Sequence, residues 1–381
     1  MKRIDVVMNI IKRVDPRIRD IKEEDINRFI DNFVAKYNSE SMHDYVKFMS
    51  SCEADTLSLY EVVGSLGKTV DYIPNGRLRD INFTKEDVQK CMHAFFGKYL
   101  PRKVNVVDSI LNGTDPYFID PDGNSHVYFN SVPKDDRNSS SVGHSDENKF
   151  LEFNVYLHGS IEDLSTTAHE LGHAISAYHR SLLDNVRAGN NVPKRDPAND
   201  CVGEIESHII EGLFVRYLRD KNMLTIGDME DYKNCSNTSL IKETTTITEE
   251  REILKDLPKN FTRDDVFDLI EKYDQNNDLN KLRRVEKMAS ERREGQYLFR
   301  YVVGRVVSDQ WLKQYDNADE NAKQGMLNTF QDYLDKTDTI KLDDACEMLM
   351  GQNYACIVED FATDKLSERK DRINTTKEFF K

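Results

Sequence analysis

The sequence predicts a mainly α-helical fold with a small antiparallel β-sheet set beside one helix. Two observations carry that expectation. Apolar residues recur at helical spacing through most of the chain, and a short stretch between about Pro101 and Gly159 alternates with period two instead. Of the 381 residues, 38% are hydrophobic, ample for a sizeable core.

From Glu23 to about Leu100 the pattern is helical, with Thr84-Lys85-Glu86-Asp87 as a capping box and Leu100-Pro101 as a stop. Tyr117–Val132 reads as a hairpin around Asp120-Pro121-Asp122-Gly123, and the polar Asp135–Asn148 stretch as a mobile surface loop. Leu151, Phe153, Val155 and Leu157 then alternate with Glu152, Asn154, Tyr156 and His158, the pattern of a half-buried strand. Ser160-Ile161-Glu162-Asp163 has the form of a second capping box, with Ser160 as N-cap, opening a helix whose buried face is Leu164, Ala168, Leu171, Ala174, Ile175 and Tyr178. After a turn at Gly189–Pro197, another helix follows between Pro197 and Arg219, with Val202, Ile205, Ile209, Leu213, Phe214 and Tyr217 as its apolar stripe. Thr262-Arg263-Asp264-Asp265 starts a further helix, and Leu279 to about Tyr315 reads as one or two long ones before a terminal helical segment. The expected division is an N-terminal helical region over 1–100 and a catalytic region over 101–381, lobes around one cleft.

Composition narrows the classes of partner. A net charge of −15 argues against nucleic acid and anionic membrane surfaces. Lys281-Leu282-Arg283-Arg284 reads as a solvated helix face, and Asp274-Gln275-Asn276-Asn277-Asp278 as a turn rather than a calcium loop, lacking the glycine and glutamate such a loop needs. No apolar run approaches a membrane span, and the start Met1-Lys2-Arg3-Ile4-Asp5 has no signal-peptide core, so a cytoplasmic location is expected. The six cysteines form no Cys-x-x-Cys pair or regular framework and read as reduced thiols.

Chemistry concentrates in His169-Glu170-Leu171-Gly172-His173. Imidazoles at i and i+4 share one helix face, so both reach one tetrahedral ion about 2.0 Å from their nitrogens. Glu170, beside them, suits a general base acting on a water that the metal activates, and Gly172 allows a close approach of backbone or substrate. A catalytic zinc site needs a third protein ligand. Glu204 on the following helix is the first candidate, with Glu206 and His208 as alternatives, and Glu211 is placed to hold a ligating side chain.

Three segments resemble the thimet oligopeptidase and oligoendopeptidase F family of zinc peptidases. Asn154–Ala174, with Gly159, Asp163-Leu164-Ser165-Thr166 and the His-Glu-Leu-Gly-His run, is similar to the family's strand, loop and metal helix. Glu204-Ile205-Glu206-Ser207-His208-Ile209-Ile210-Glu211 fits the family's Glu-x-x-Ser-x-x-x-Glu, whose first Glu is the metal ligand; carboxypeptidase Taq enzymes carry a related pattern. Gln296–Gly304 resembles the family's tyrosine-rich segment, with Tyr301 and Tyr297 at the matching positions.

The resemblance spans about Tyr117 to Gly304 and implies a zincin-like catalytic region of gluzincin type in a helical two-lobed architecture, with one Zn2+ per chain. It also implies His169, His173 and Glu204 as ligands, Glu170 as base, and Tyr301, with Tyr297 as second choice, donating to the oxyanion. The chain departs from the family in its short N-terminal half. It has Glu291-Arg292-Arg293-Glu294-Gly295 where many members carry a histidine, so that Arg292 or Arg293 stands in its place, and it has Ser176 and Asn130 where members carry histidine and aspartate. The activity implied is hydrolysis of internal peptide bonds, on peptides or on proteins. A secreted effector cleaving one host protein and a catalytically inactive zinc-stabilised binding protein are the competing readings, and oligomeric state is not legible.

Overall fold

The computed structural model of the chain describes residues 3–14, 20, 22–39, 42–43, 47, 83–133, 138–145, 150–190, 201–290 and 295–379, without the side chains of 14, 226, 230, 231, 234, 235, 289, 290, 295–297 and 368–379. Among these, helices predominate: α1 (Arg3–Val14), α2 (Glu23–Tyr37), α3 (Lys85–Tyr99) and α4 (Val104–Leu111) precede strands β1 (Val127–Ser131), β2 (Ser141–His144) and β3 (Leu151–Leu157). Then come α5 (Glu162–Ile175), α6 (Ala177–Arg187), α7 (Ile205–Asp220), α8 (Ile226–Lys255), α9 (Arg263–Gln275), α10 (Leu279–Ser290) and α11 (Gly295–Asn317). The last are α12 (Glu320–Leu334), α13 (Leu342–Met350) and α14 (Tyr354–Phe379). The chain is thus mainly helical with one small sheet, as the sequence predicts. No described helix is long and apolar enough to cross a membrane.

The sheet has the order β1-β3-β2 and is mixed rather than wholly antiparallel. β1 runs parallel to β3, Val127 opposite Phe153 and Ser131 opposite Leu157, while β2 pairs antiparallel, His144 opposite Leu151. The expected hairpin shrinks to a tight turn closed by Gly123 N–H on Asp120 O and one bridge between Ile119 and Ser125. Beyond that bridge the chain runs into β1 and pairs with β3 instead. β2 lies inside the stretch read as a mobile loop. Its four residues, Ser-Val-Gly-His, are too short and polar to show alternation, and it is pairing with β3 that makes them a strand.

β3 buries Leu151, Phe153, Val155 and Leu157 as its alternation requires, and α5 packs on it. The entry to α5 differs from the expected box. The helix begins at Glu162, and Ser160 makes no side-chain cap. Asp163 does reach back, its Oδ2 accepting N–H bonds from His158 at 2.8 Å, Gly159 at 2.9 Å and Ser160 at 3.1 Å. One carboxylate therefore fixes the strand-to-helix turn, a charge-assisted arrangement at a helix N-terminus. The boxes at Thr84/Asp87 and Thr262/Asp265 form as read.

α5 packs closely along α7. Gly172 explains how: a Cβ there would lie 2.8 Å from Ser207 Cα, so only glycine lets the two backbones approach this far. The approaching group is thus backbone of this chain.

By internal contacts the chain forms two units, Met1–Gly64 with Ile241–Phe299, and Ser65–Leu240 with Arg300–Lys381. This grouping crosses the 1–100 and 101–381 division, because α1 and α2 pack on α9 and α10. Ile26, Ile30 and Phe33 of α2 and Val266, Leu269 and Ile270 of α9 are buried in the first unit. Everything described next lies in the second.

Candidate metal centre

α5 presents His169 and His173 one turn apart, their ring centroids 5.1 Å from each other. Glu204, the residue that leads into α7, points its Oε2 between them, 3.7 Å from His169 Nε2 and 3.5 Å from His173 Nε2. These separations are too long for good hydrogen bonds. They do suit a shared cation, because three donor atoms each about 2.0–2.2 Å from one tetrahedral ion stand roughly 3.4 Å apart. Glu204 is 4% exposed, and its Oε2 has no hydrogen-bond partner. A buried carboxylate oxygen left in that state costs several kcal/mol unless a cation compensates it.

Electrostatics point the same way. Burial opposes charge on His169, but the hydrogen bond to Glu211 and the charges of Glu211, Glu170 and Glu204 outweigh it and raise its pKa to about 9. Burial likewise opposes charge on Glu204, yet His173 and His169 hold its carboxyl below the usual range. Three carboxylates face two imidazoles, so the cluster holds an excess of negative charge that a proton or a metal cation neutralises. The donor set of two imidazoles and one carboxylate is one that zinc accepts with a position left open.

Glu211 stands where the sequence put it. Its Oε2 lies 3.2 Å from His169 Nδ1 and 3.4 Å from His208 Nδ1. With Nδ1 bonded to Glu211, the ring presents Nε2 to Glu204. His169, His208 and Glu211 form a second group of close donors, but it shares His169 with the first, and Glu211 ties the two rings together. The alternatives to Glu204 face elsewhere: Glu206 is fully buried beside Tyr333, and His208 is taken up by Glu211.

Glu170 lies beside His169 and His173, and burial raises its pKa above the usual carboxylate range. Its Oε2 accepts a hydrogen bond from the Val142 backbone N–H of β2 at 2.9 Å. That N–H is turned away from β3, so the outer edge of β2 faces α5. Both edges of β3 are paired, and the edge next to Glu170 belongs to β2.

The third motif enters through α11. Tyr301 stands edge-on to His208 with ring centroids 6.1 Å apart. One turn on, Gly304 meets Glu204 and His208 so closely that a Cβ would lie 2.8 Å from Glu204 Cβ and 2.8 Å from His208 Cδ2. The side chain of Tyr297, and Arg292 and Arg293 altogether, lie outside the described residues. Sequence reasoning missed three contributors. Val142 acts through its backbone, which no residue type announces. His179 packs edge-on to His173 at 5.8 Å and meets His144 Nε2 through Nδ1 at 3.3 Å. Tyr232 of α8 lies beside Glu211, and burial followed by that charge pushes its phenol well above the usual value.

No family model matches the sequence, and no curated protein matches it significantly. Among solved structures, the chain is similar to a candidate oligoendopeptidase F from Bacillus anthracis str. Ames at 11% identity and a TM-score of 0.47, covering 95% of this chain and 58% of that one. It is also similar to a candidate peptidase from Chlamydophila abortus at 11% identity and a TM-score of 0.46, covering 88% of this chain and 56% of that one. The chain therefore spans less than two thirds of the length of either.

Proposed function

We propose that this protein is a zinc-dependent metalloendopeptidase in which His169, His173 and Glu204 hold the metal. The observation that carries the reading is Glu204 Oε2, buried without a hydrogen-bond partner between the two imidazole nitrogens. Bound there, zinc supplies a Lewis acid and lowers the pKa of a water ligand toward about 7.

The chain's own groups do the rest. Glu170 accepts the proton of the attacking water on a carboxylate oxygen and passes it to the leaving nitrogen. The Val142 N–H holds that carboxylate at 2.9 Å, which fixes its aim. Glu211 locks the ring of His169. Tyr301, beside His208, donates its hydroxyl hydrogen to the oxyanion that forms on the scissile carbonyl. The substrate class is peptides in extended conformation, because such a chain lies along the outer edge of β2 at least conformational cost.

Metal analysis and a fluorogenic peptide panel test the reading together. The purified protein should carry about one zinc per chain, and a chelator should abolish cleavage. Glu170→Gln should keep the metal while losing at least about 10² in kcat; wild-type turnover in that variant would falsify the assignment. His169→Ala should lose metal and activity together.

A further inference from the structure

The turn that leads into β1 carries three polar side chains in an ordered chain, Asp120, His126 and Tyr128, none of which belongs to the candidate metal centre. Asp120 folds the turn around itself. Its Oδ1 accepts N–H bonds from Asp122 at 2.9 Å and Asn124 at 2.8 Å, while its Oδ2 accepts from Asn124 Nδ2 at 3.0 Å and meets His126 Nε2 at 2.9 Å. The bond to His126 first, and then those from Asn124, hold its carboxyl below the usual range, so Asp120 is ionised at neutral pH.

That charge sets the direction of the whole chain. An ionised carboxylate only accepts hydrogen bonds, which places the proton of the neutral imidazole on Nε2 and leaves Nδ1 as an acceptor. The Tyr128 hydroxyl, 2.8 Å from Nδ1, therefore donates to it. The imidazole is also held in its plane: Phe150 stacks on it with centroids 4.0 Å apart, and Tyr128 stands edge-on to it at 5.9 Å. Its backbone is tied on both sides. The His126 N–H donates to Phe118 O at 2.8 Å, and the Phe153 N–H donates to His126 O at 2.9 Å. Tyr128, by contrast, is 40% exposed on β1, an edge strand of the sheet. Stability does not call for such a chain, because a hydroxyl at the surface finds water as readily as an imidazole. A fixed carboxylate, an imidazole with its basic nitrogen on a hydroxyl, and that hydroxyl at the surface are the parts of an activated nucleophile.

We propose that Tyr128 is a covalent acceptor for acyl groups, with His126 as its general base and Asp120 as the residue that positions the imidazole. The new bond joins Tyr128 Oη to the acyl carbon of an activated ester, and the bond that breaks is the one from that carbon to the leaving oxygen. The phenol proton passes to His126 Nδ1 and from there to the leaving oxygen, while Asp120 stays ionised and stabilises the imidazolium. The product is an acyl ester on Tyr128. A neutral acyl donor suits the place better than a phosphoryl donor, since Asp120 and Asp122 stand in the same turn and the chain carries a net charge of −15. No step passes through the metal centre, so the proposal stands whether or not the protein is a peptidase.

The purified protein is treated with p-nitrophenyl acetate for graded short times, and the acetylated residues are mapped by mass spectrometry after digestion. Mapping is needed because released nitrophenolate would also report hydrolysis at a bound metal. The expected result is one acetyl group per chain on Tyr128, formed at least about tenfold faster than on any other tyrosine, a comparison that needs no variant. Tyr128→Phe should remove it. His126→Gln should slow labelling of Tyr128 by at least about 10², the worth of a general base. Asp120→Asn should lower the limiting rate at least about tenfold with the half-saturating ester concentration unchanged, which a merely structural role in the turn would not do. Thermal melts verify that each variant is folded. Acetylation spread evenly over the tyrosines, or an unchanged rate at Tyr128 in folded His126→Gln, overturns the proposal.

Discussion

Helices α1, α2, α9 and α10 of the first unit and the helix pair α5–α7 bury the same kinds of aliphatic surface but treat charge in opposite ways. In the first unit, Arg3 pairs with Asp264 and Glu271, Arg263 with Asp31, and Arg284 with Glu249, all at or near the surface. Such pairs contribute about 0–1 kcal/mol each. Between α5 and α7, Glu204, Glu206, His169 and His208 are all less than a tenth exposed. Stability alone does not select that arrangement, since burying charge without full compensation destabilises a fold. A buried oxygen such as Glu204 Oε2, with no hydrogen-bond partner, is where a ligand is expected.

The sharpest way to break this contrast is to compare two buried glutamates two residues apart. Glu204→Ala removes the carboxylate that faces the imidazoles and should empty the site of zinc and abolish cleavage. Glu206→Ala removes one that lies beside Tyr333 and should lower stability by roughly 1–3 kcal/mol while zinc content stays near one per chain. Metal analysis beside thermal melts separates them, and zinc loss in the Glu206 variant alone would reverse the assignment.

Tyr301→Phe comes next. A hydrogen bond made to the oxyanion acts in the transition state, so kcat should fall by about 10²–10³ with little change in KM or zinc content. An unchanged kcat with a lowered Tm would make Tyr301 a packing residue against His208.

Two glycines sharpen the comparison at the level of backbone approach. Gly304→Ala drives a Cβ to 2.8 Å from Glu204 Cβ and 2.9 Å from its carbonyl oxygen, so α11 must move. Overpacking of this kind costs about 1–3 kcal/mol, and it should weaken zinc retention because Glu204 shifts with it. Gly325→Ala on α12 meets nothing within 4 Å and should be neutral or stabilising by up to about 1 kcal/mol. Equal melting curves for the two variants would show that α11 is not held tightly against the site.

Much of this was legible in the chain. The i, i+4 histidines announce a shared helix face because helical geometry leaves no other arrangement, and both capping boxes that combine Thr with Asp form where read. Glu204 was legible only through its place in a pattern, since its local surroundings offer Glu206 and His208 as equals; what separates them is the direction each side chain takes from α7. Strand direction was not legible. Alternation in Leu151–Leu157 is the same whether its neighbours run parallel or antiparallel, so β1 gave no sign of its pairing. β2 was hidden for another reason. Its contribution to Glu170 is a backbone N–H, and the four residues Ser-Val-Gly-His are too few to carry periodicity.

The smallest expected effect lies at the N-terminus of α9, a helix that keeps its charges at the surface. Thr262 N–H donates to Asp265 Oδ2 at 2.6 Å and the Thr262 hydroxyl donates to it at 2.7 Å. Those two bonds, the backbone one first, hold the carboxyl below its usual value of about 3.9. A carboxylate whose pKa is depressed on folding stabilises the folded state above the unfolded value and loses that contribution as pH falls through the folded one. Asp265→Asn should therefore lower Tm slightly at pH 7, and the gap to the wild type should close as the pH is taken below about 4. Zinc content and peptide cleavage should not move at all. A Tm gap that persists undiminished into strong acid would assign the effect to side-chain geometry, not to charge. A change in metal content would mean that α9 and the ligand pair α5–α7 answer to the same charge after all.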